Sequence, residues 1–483
     1  MSMVKVQHTQ SAGSCPSWTT GRITGGTLFA LATSSAGIIM SVAAYGTLLP
    51  TVAAICVFAT VQALLLLTPL GGTFERRMFV ASFSVSWFMS GVAALYAEKL
   101  GDPSQLVSDA STFYQLAASP RADLTLADLR VLTEGAGAVY AWRKIYEFAD
   151  MLGLGRERHV GVLVNVLAVP LTGVLMVKTA RDLYGPDPAR QARLVLLVSA
   201  CGLYWLFASM HLRDAAILLG IAAMLLFWVR YLVRRRTSDL VQLMAATALG
   251  LAFIGMLRTE FVIVPLAMLL AGLVAMVLFD RSRGARRLVV YGLAIASLSV
   301  FIAVAAARLD EFLTLATRGF ENYSSLATQE AGADSLGYRY ITSAPILLRI
   351  LLGSIYLFLF PVPFWVGFQL VSVYNLFKSC NVLFFYLFTP LLAYAVWSQI
   401  RYATRRSTAT MFLLFVAVGC TAAIAGTSLE SRHFGVFLPA MMLLAISPPL
   451  HEPGTASAVT KLTFVYLGLV ALLHLAWIAI KLQ

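Results

Sequence analysis

Charge is what this sequence has least of. Asp, Glu, Lys and Arg make up 12% of the 483 residues, against about 25% in a soluble globular domain. With 59% of the residues hydrophobic, that deficit excludes a water-soluble fold. Apolar runs of about 20 residues, enough to cross a bilayer, recur along nearly the whole chain. Cysteine is also sparse. Cys15, Cys56, Cys201, Cys380 and Cys420 are an odd number, and their spacing fits neither a disulfide framework nor a zinc motif, so no metal site is expected. There is no Gly-rich phosphate loop in a strand-to-helix context, so neither a nucleotide nor any other cofactor is expected. The first twenty residues hold no apolar h-region, which argues against a cleavable signal peptide and against a lipoprotein reading of Cys15.

The charge that is present is lopsided, with a formal net value of +13. On a soluble protein this would suggest nucleic acid. Here the basic groups sit between apolar runs and lack the interleaved aromatics of a nucleic-acid surface, so no nucleic-acid partner is expected. Five clusters can share one face: Arg76 and Arg77; Lys178, Arg181, Arg190 and Arg193; Arg230, Arg234, Arg235 and Arg236; Arg281, Arg283, Arg286 and Arg287; Arg401, Arg405 and Arg406. The positive-inside rule makes that face cytoplasmic and puts the N-terminus inside.

The expected fold is all-α: a polytopic transmembrane helix bundle of about 13 spans plus a re-entrant or interfacial helix pair, in one integral membrane domain covering residues 1–483. The spans are Ile23–Tyr45, Leu49–Pro69, Met78–Ala97, Val160–Lys178, Leu194–Met210, Ala215–Tyr231, Leu240–Leu257, Phe261–Phe279, Leu288–Ala307, Val382–Gln399, Thr410–Thr427, Phe434–Ser447 and Thr463–Ile480. Two long segments remain outside: residues 98–158, with small helices, and residues 308–381, which end in a proline-broken stretch. There Ile346–Phe360 and Phe364–Leu376 flank Pro361 and Pro363. Proline breaks helices, so this stretch reads as a re-entrant or interfacial pair or as a kinked hairpin.

Three short outer loops carry charge with almost no polar padding: His211-Leu212-Arg213-Asp214, Arg258-Thr259-Glu260 and Glu430-Ser431-Arg432-His433. Ionisable groups at membrane level are costly unless they pair or line a wet cavity. Singly, each arginine can snorkel to headgroups. Together, Arg213, Arg258 and Arg432 offer guanidinium forks that match phosphate geometry, with Asp214, Glu260 and Glu430 beside them to orient them. Asp109 opens the first long loop in Ser108-Asp109-Ala110-Ser111-Thr112-Phe113-Tyr114. A carboxylate there can take a proton from an acceptor hydroxyl; equally, Ser108 or Asp109 can cap a helix.

The Asp109-x-x-x-x-Tyr114-x-x-x-Ala118 pattern resembles the first outer loop of multi-spanning glycosyltransferases of the C fold, which use polyprenyl-phosphate-linked sugars. Arg432-His433-Phe434 through Pro439 is similar to their arginine–aromatic–proline start of a late helix. Leu212-Arg213-Asp214-Ala215 and Phe360-Pro361-Val362-Pro363-Phe364-Trp365 resemble elements of a bacterial exopolysaccharide branch that includes sugar-repeat polymerases. The paired acidic residues found after the first span in some of these families have no counterpart here. The resemblance implies a bacterial inner-membrane enzyme of cell-surface polysaccharide assembly. It would move a sugar or a repeat from a polyprenyl-phosphate or pyrophosphate donor to a saccharide acceptor at the outer leaflet, alongside a polysaccharide export complex. Asp109 and His433 would be the catalytic pair, Arg213, Arg258 and Arg432 the phosphate holders, and Tyr114, Asp214, Glu260 and Glu430 the supports. A flippase for lipid-linked oligosaccharide and a non-catalytic subunit are the rival expectations.

Overall fold

A computed structural model describes residues 25–69, 71–100, 108–119, 125–133, 135–279, 344–359, 363–369, 372–401, 407–427 and 429–482, with isolated positions 292 and 341. Among these residues the secondary structure is helical throughout, with no strand. Among the described residues, nine helices are long and apolar enough to cross a membrane, or ten if one bent pair counts as a single span. The chain is a multi-pass membrane protein. The expected span Leu288–Ala307, the Arg281–Arg287 cluster, Arg405 and Arg406, and the loop at 308–340 lie outside the described residues.

The chain begins with α1 (Gly25–Tyr45), α2 (Leu49–Leu67) and α3 (Thr73–Leu95). Within residues 98–158 the described helices are α4 (Ser108–Ala118), α5 (Leu126–Leu132) and α6 (Ala136–Met151). Next come α7 (Arg158–Tyr184), α8 (Pro188–Ala200), α9 (Gly202–Ser209), α10 (Asp214–Arg234), α11 (Thr237–Leu257) and α12 (Ile263–Phe279). The described C-terminal part comprises α13 (Ile346–Leu359), α14 (Val373–Arg401), α15 (Thr408–Gly426), α16 (Ser431–Gly435), α17 (Leu438–Ala445) and α18 (Pro453–Lys481).

Burial separates a core from a lipid-facing ring. The most apolar stretches of α3, α7, α10, α14 and α15 are 56–67% buried, whereas those of α1, α2 and α11 are 22% and that of α18 is 11% buried. Because lipid replaces water around such helices, exposed leucines cost nothing there, and packing of buried side chains decides which helices are central. Local chemistry fixes the ends. Asp187 caps α8 by accepting the amides of Ala189 and Arg190, with Pro188 in the first turn. Asp214 and Arg234 complement the dipole of α10 at its two ends, and Arg235 stops it in the left-handed conformation at φ 57°.

Two expected spans are broken. The fifth is the pair α8–α9, bent by 56°. At the bend, Asn381 Oδ1 accepts the Leu203 amide at 3.2 Å, and a Cβ on Gly202 would fall 2.6 Å from the backbone of Asn381 and Phe377. Only glycine admits that approach of α9 to α14. Phe434–Ser447, expected as one span, is α16 plus α17; an eight-residue helix is only about 12 Å long. The segment still runs from one end of the bundle to the other. Its start meets the Asp109 region, while the Leu443 carbonyl accepts the Tyr184 hydroxyl at 2.8 Å and the Pro448 carbonyl accepts Arg193 at 3.1 Å. Beyond α13, the expected Phe364–Leu376 helix divides: Phe364–Gln369 is a 3-10 turn, and α14 starts at Val373, nine positions before the predicted Val382.

Charged groups therefore gather at two ends. Asp182, Glu75 and their arginines mark one, at the C-terminal ends of α7 and α10. Asp109, Arg213, Arg258 and Arg432 mark the other.

Candidate functional site

The site is assembled from five stretches far apart in sequence. Helix α4 supplies Asp109 in its first turn, so the residue sits within the helix and not at a cap. Arg432 Nη2 donates to Asp109 Oδ2 at 3.0 Å across 323 positions of sequence. The arginine side chain is 8% exposed and the aspartate 43%, so the cation is held inside while the carboxylate still reaches solvent. Asp214 and Glu430 lie within electrostatic reach of Arg432 as well. Burial disfavours the Arg432 cation, but Asp214, Asp109, Tyr374 and Glu430 outweigh it and hold its pKa above the usual arginine value. Arg432 Nε and Nη1 are buried without a hydrogen-bond partner.

Arg258 follows the end of α11. Its Nη1 lies 2.8 Å from His433 Nε2, and its guanidinium stacks 4.8 Å over Phe261. Arginine only donates, so Nε2 is the acceptor and the ring proton is on Nδ1. Burial first, then Arg258, Arg432, Arg213 and Lys378, hold His433 well below the usual imidazole range. All four cations thus lie within electrostatic reach of one neutral ring. Arg213 packs 5.6 Å over Phe113 and donates to the Leu257 carbonyl at 3.4 Å. Its turn is braced from within the bundle, where Asn165 Nδ2 donates to the carbonyls of Met210 and Leu212 at 2.6 and 2.9 Å. Asp214 is buried, and its Oδ1 has no hydrogen-bond partner.

Glu430 precedes α16 and accepts the Arg432 amide at 3.3 Å, fixing the arginine through its backbone. It also accepts the Tyr374 hydroxyl at 2.7 Å and pairs with Lys378 at 3.2 Å. Burial raises its pKa, but Lys378, Arg432 and the Tyr374 hydroxyl overcome that and pull it down to about 2. Tyr374 and Lys378 were missed from the sequence. They stand four apart at the start of α14 and so share a helix face, and Lys378 is the lone charge between Val373 and Ile400; that was the available signal.

One predicted residue falls elsewhere. Tyr114 turns away from Arg432 and lies against Arg158, 5.0 Å from ring to guanidinium, and His211, 5.2 Å between rings. The backbone of Glu260 forms part of a 3-10 turn, Thr259–Val262; its side chain lies outside the described residues.

Residues 147–306 match the family model described as dolichyl-phosphate-mannose-protein mannosyltransferase. That agrees with the resemblance to C-fold polytopic glycosyltransferases. The match includes Arg213, Asp214 and Arg258 and excludes Asp109, Glu430, Arg432 and His433. No curated protein and no solved structure matches the chain.

Proposed function

We propose that the chain is a membrane glycosyltransferase that takes a sugar, or a sugar repeat, from a polyprenyl-phosphate-linked donor at the outer leaflet, in assembly of a bacterial cell-surface polysaccharide. One observation carries this reading: the buried arginines Arg213, Arg258 and Arg432 lie at one end of the bundle, with Arg258 on His433 and Lys378 on Glu430, and with the half-exposed carboxylate of Asp109 on Arg432. Such an array suits a phosphate that gains charge as it leaves, because donors already fixed in a water-poor site need no reorganisation. The family-model match supports the same chemistry.

In this scheme the acceptor hydroxyl attacks the anomeric carbon and gives its proton to Asp109. The bond from that carbon to the phosphate oxygen breaks, and the departing phosphate keeps the electron pair. Arg432 receives it through Nε and Nη1, which have no protein partner. Arg258 and Arg213 add charge from the side. His433, neutral and accepting from Arg258, holds that guanidinium in place. A flippase would place its ionisable groups along a path through the spans; this cluster sits at one end instead.

Asp109→Asn tests the scheme. It keeps shape and removes basicity, so transfer from a purified polyprenyl-linked donor is expected to drop about 100- to 10,000-fold with insertion unchanged. Near-normal transfer by this variant would leave Asp109 as an ion-pair partner of Arg432 and nothing more.

A further inference from the structure

The segment that delivers Arg432 to Asp109 starts from a strained turn. Leu429 is held at φ 50°, in the left-handed region that a bulky side chain rarely adopts. It is buried, and its amide donates to the Ile424 carbonyl of α15 at 3.0 Å. Glu430 follows at once and accepts the Arg432 amide. Glycine would take this conformation freely, yet the chain has leucine here. A strained residue persists only where its surroundings over-determine it, and such residues gather at functional sites.

Helix α13 supplies those surroundings. Arg349 is buried, and its Nη2 donates to the Thr427 carbonyl at 2.6 Å. A cation is favoured there, because the last carbonyls of α15 carry the negative end of its dipole. Gly353 lies four positions on and so shares a face with Arg349. A Cβ on Gly353 would fall 2.7 Å from Leu429 Cδ2 and 3.0 Å from the Ala425 carbonyl oxygen. The missing side chain is what lets α13 lie this close to the turn. Further along, Phe358 meets Phe434 edge-on, with 5.1 Å between rings. Helix α13 therefore touches the chain at Thr427, Leu429 and Phe434, and Glu430, Arg432 and His433 lie between those contacts. Leu347, Leu351 and Ile355 of the same helix are exposed. A buried arginine on a helix with so apolar a flank is costly, which marks it as a functional candidate.

We propose that Arg349 is a positioning residue. Through the Thr427 carbonyl, and with Gly353 beneath Leu429, it holds the left-handed turn that aims Glu430 at Tyr374 and Lys378 and aims Arg432 at Asp109. It touches no substrate. Its kinetic consequence rests on the glycosyltransferase reading above; the mechanical coupling of α13 to the arginine segment does not.

Two readouts keep these apart. The first needs no activity: hydrogen–deuterium exchange of the protein in nanodiscs. Peptides covering residues 429–437 are expected to exchange about tenfold faster in Arg349→Met and Gly353→Ala than in wild type, because local opening sets the exchange rate. Leu351→Ala, on the exposed flank, is expected to exchange as wild type. Unchanged exchange in both Arg349→Met and Gly353→Ala overturns the proposal, whatever the transfer assay gives. The second readout is kcat with a purified polyprenyl-linked donor. Arg349→Met is expected to lower it about 10- to 100-fold, the scale of a small misplacement of a reacting group. Arg349→Lys restores part, since an ammonium still donates to the carbonyl. In an Arg432→Ala background the same Arg349→Met change is expected to cost less than about twofold, because no arginine is left to aim. Persistence of the full loss in that background, or an equal loss in Leu351→Ala, overturns the positioning role and leaves a general effect on folding. If wild type transfers no sugar while the exchange results hold, the glycosyltransferase reading fails and the coupling of α13 to the turn stands.

Discussion

The two ends of the bundle carry similar residues under different rules. At the Asp182 end, each acid meets arginines from neighbouring helices: Arg230 at 3.2 Å and Arg234 at 2.5 Å on Asp182, and Arg181 at 2.9 Å on Glu75. Arg181 and Arg234 are each 40% exposed, at the level where headgroups and water solvate them. The acids themselves are shielded, Glu75 at 1% and Asp182 at 12% exposed, and a positive excess of this kind at one face is what the expected orientation of the chain rests on. At the Asp109 end, Arg213, Arg258 and Arg432 are buried. Their partners come from distant segments, and Arg432 and Asp214 retain buried polar atoms with nothing to bond. An unsatisfied buried polar atom costs about 1–3 kcal/mol. Such atoms occur at both ends, Arg76 Nε and Asp239 Oδ2 among them; what sets the Asp109 end apart is three buried arginines beside a carboxylate that still reaches solvent, which is why we assign the proposed chemistry to it.

Four experiments break or sharpen this contrast. The largest effect is all or none. With cysteines placed at Val131 and at Arg235 in a background lacking native cysteines, a membrane-impermeant maleimide added outside intact cells is expected to label Val131→Cys alone. Labelling of Arg235→Cys alone would reverse the ends and remove the outer-leaflet chemistry. Next, Arg432→Ala is expected to lower kcat about 100- to 1,000-fold, the usual loss for one fixed donor to a charged transition state. Arg432→Lys restores only part, because an ammonium lacks the fork. Equal activity of wild type and Arg432→Ala in the donor assay would sink the phosphate assignment.

A smaller effect concerns acid. The Glu430 carboxyl is depressed to about 2 when folded, against about 4.3 unfolded. Its stabilisation is therefore complete above the unfolded value and is lost as pH falls through the folded one. Melting temperatures of wild type and Glu430→Gln, taken from pH 5 down to pH 2.5, are expected to converge; parallel curves would show that Glu430 is not held ionised. The smallest effect belongs to the other end. Asp182→Asn disturbs two ion pairs there, and donor KM and kcat are expected to stay within about threefold of wild type. A loss like that of Arg432→Ala would erase the distinction between the ends.

Much was legible in the chain itself. The helical, multi-spanning class followed from composition, because a backbone in lipid must satisfy its hydrogen bonds internally and long apolar runs leave helices as the answer. The charged short loops at Arg213, Arg258 and Arg432 were legible for the same reason: isolated charges between apolar runs stand out. Span boundaries were less so. Hydropathy sees neither the 56° break between α8 and α9 nor the division of Phe434–Ser447, since both depend on neighbours such as Asn381 and Tyr184 that satisfy the freed backbone.

Sequence by itself determined the solvent of this protein, its helical architecture and the segregation of its arginines, since these depend on composition and on order along the chain. Only the tertiary structure decided which charges meet. Asp109 lies 323 positions from Arg432, and Tyr374 and Lys378 join Glu430 from another helix. Tyr114 leaves the expected cluster for Arg158 and His211. These partnerships are set by how buried faces of α4, α7, α14 and α16 pack, and side-chain packing is a property of the assembled bundle that no local spacing encodes.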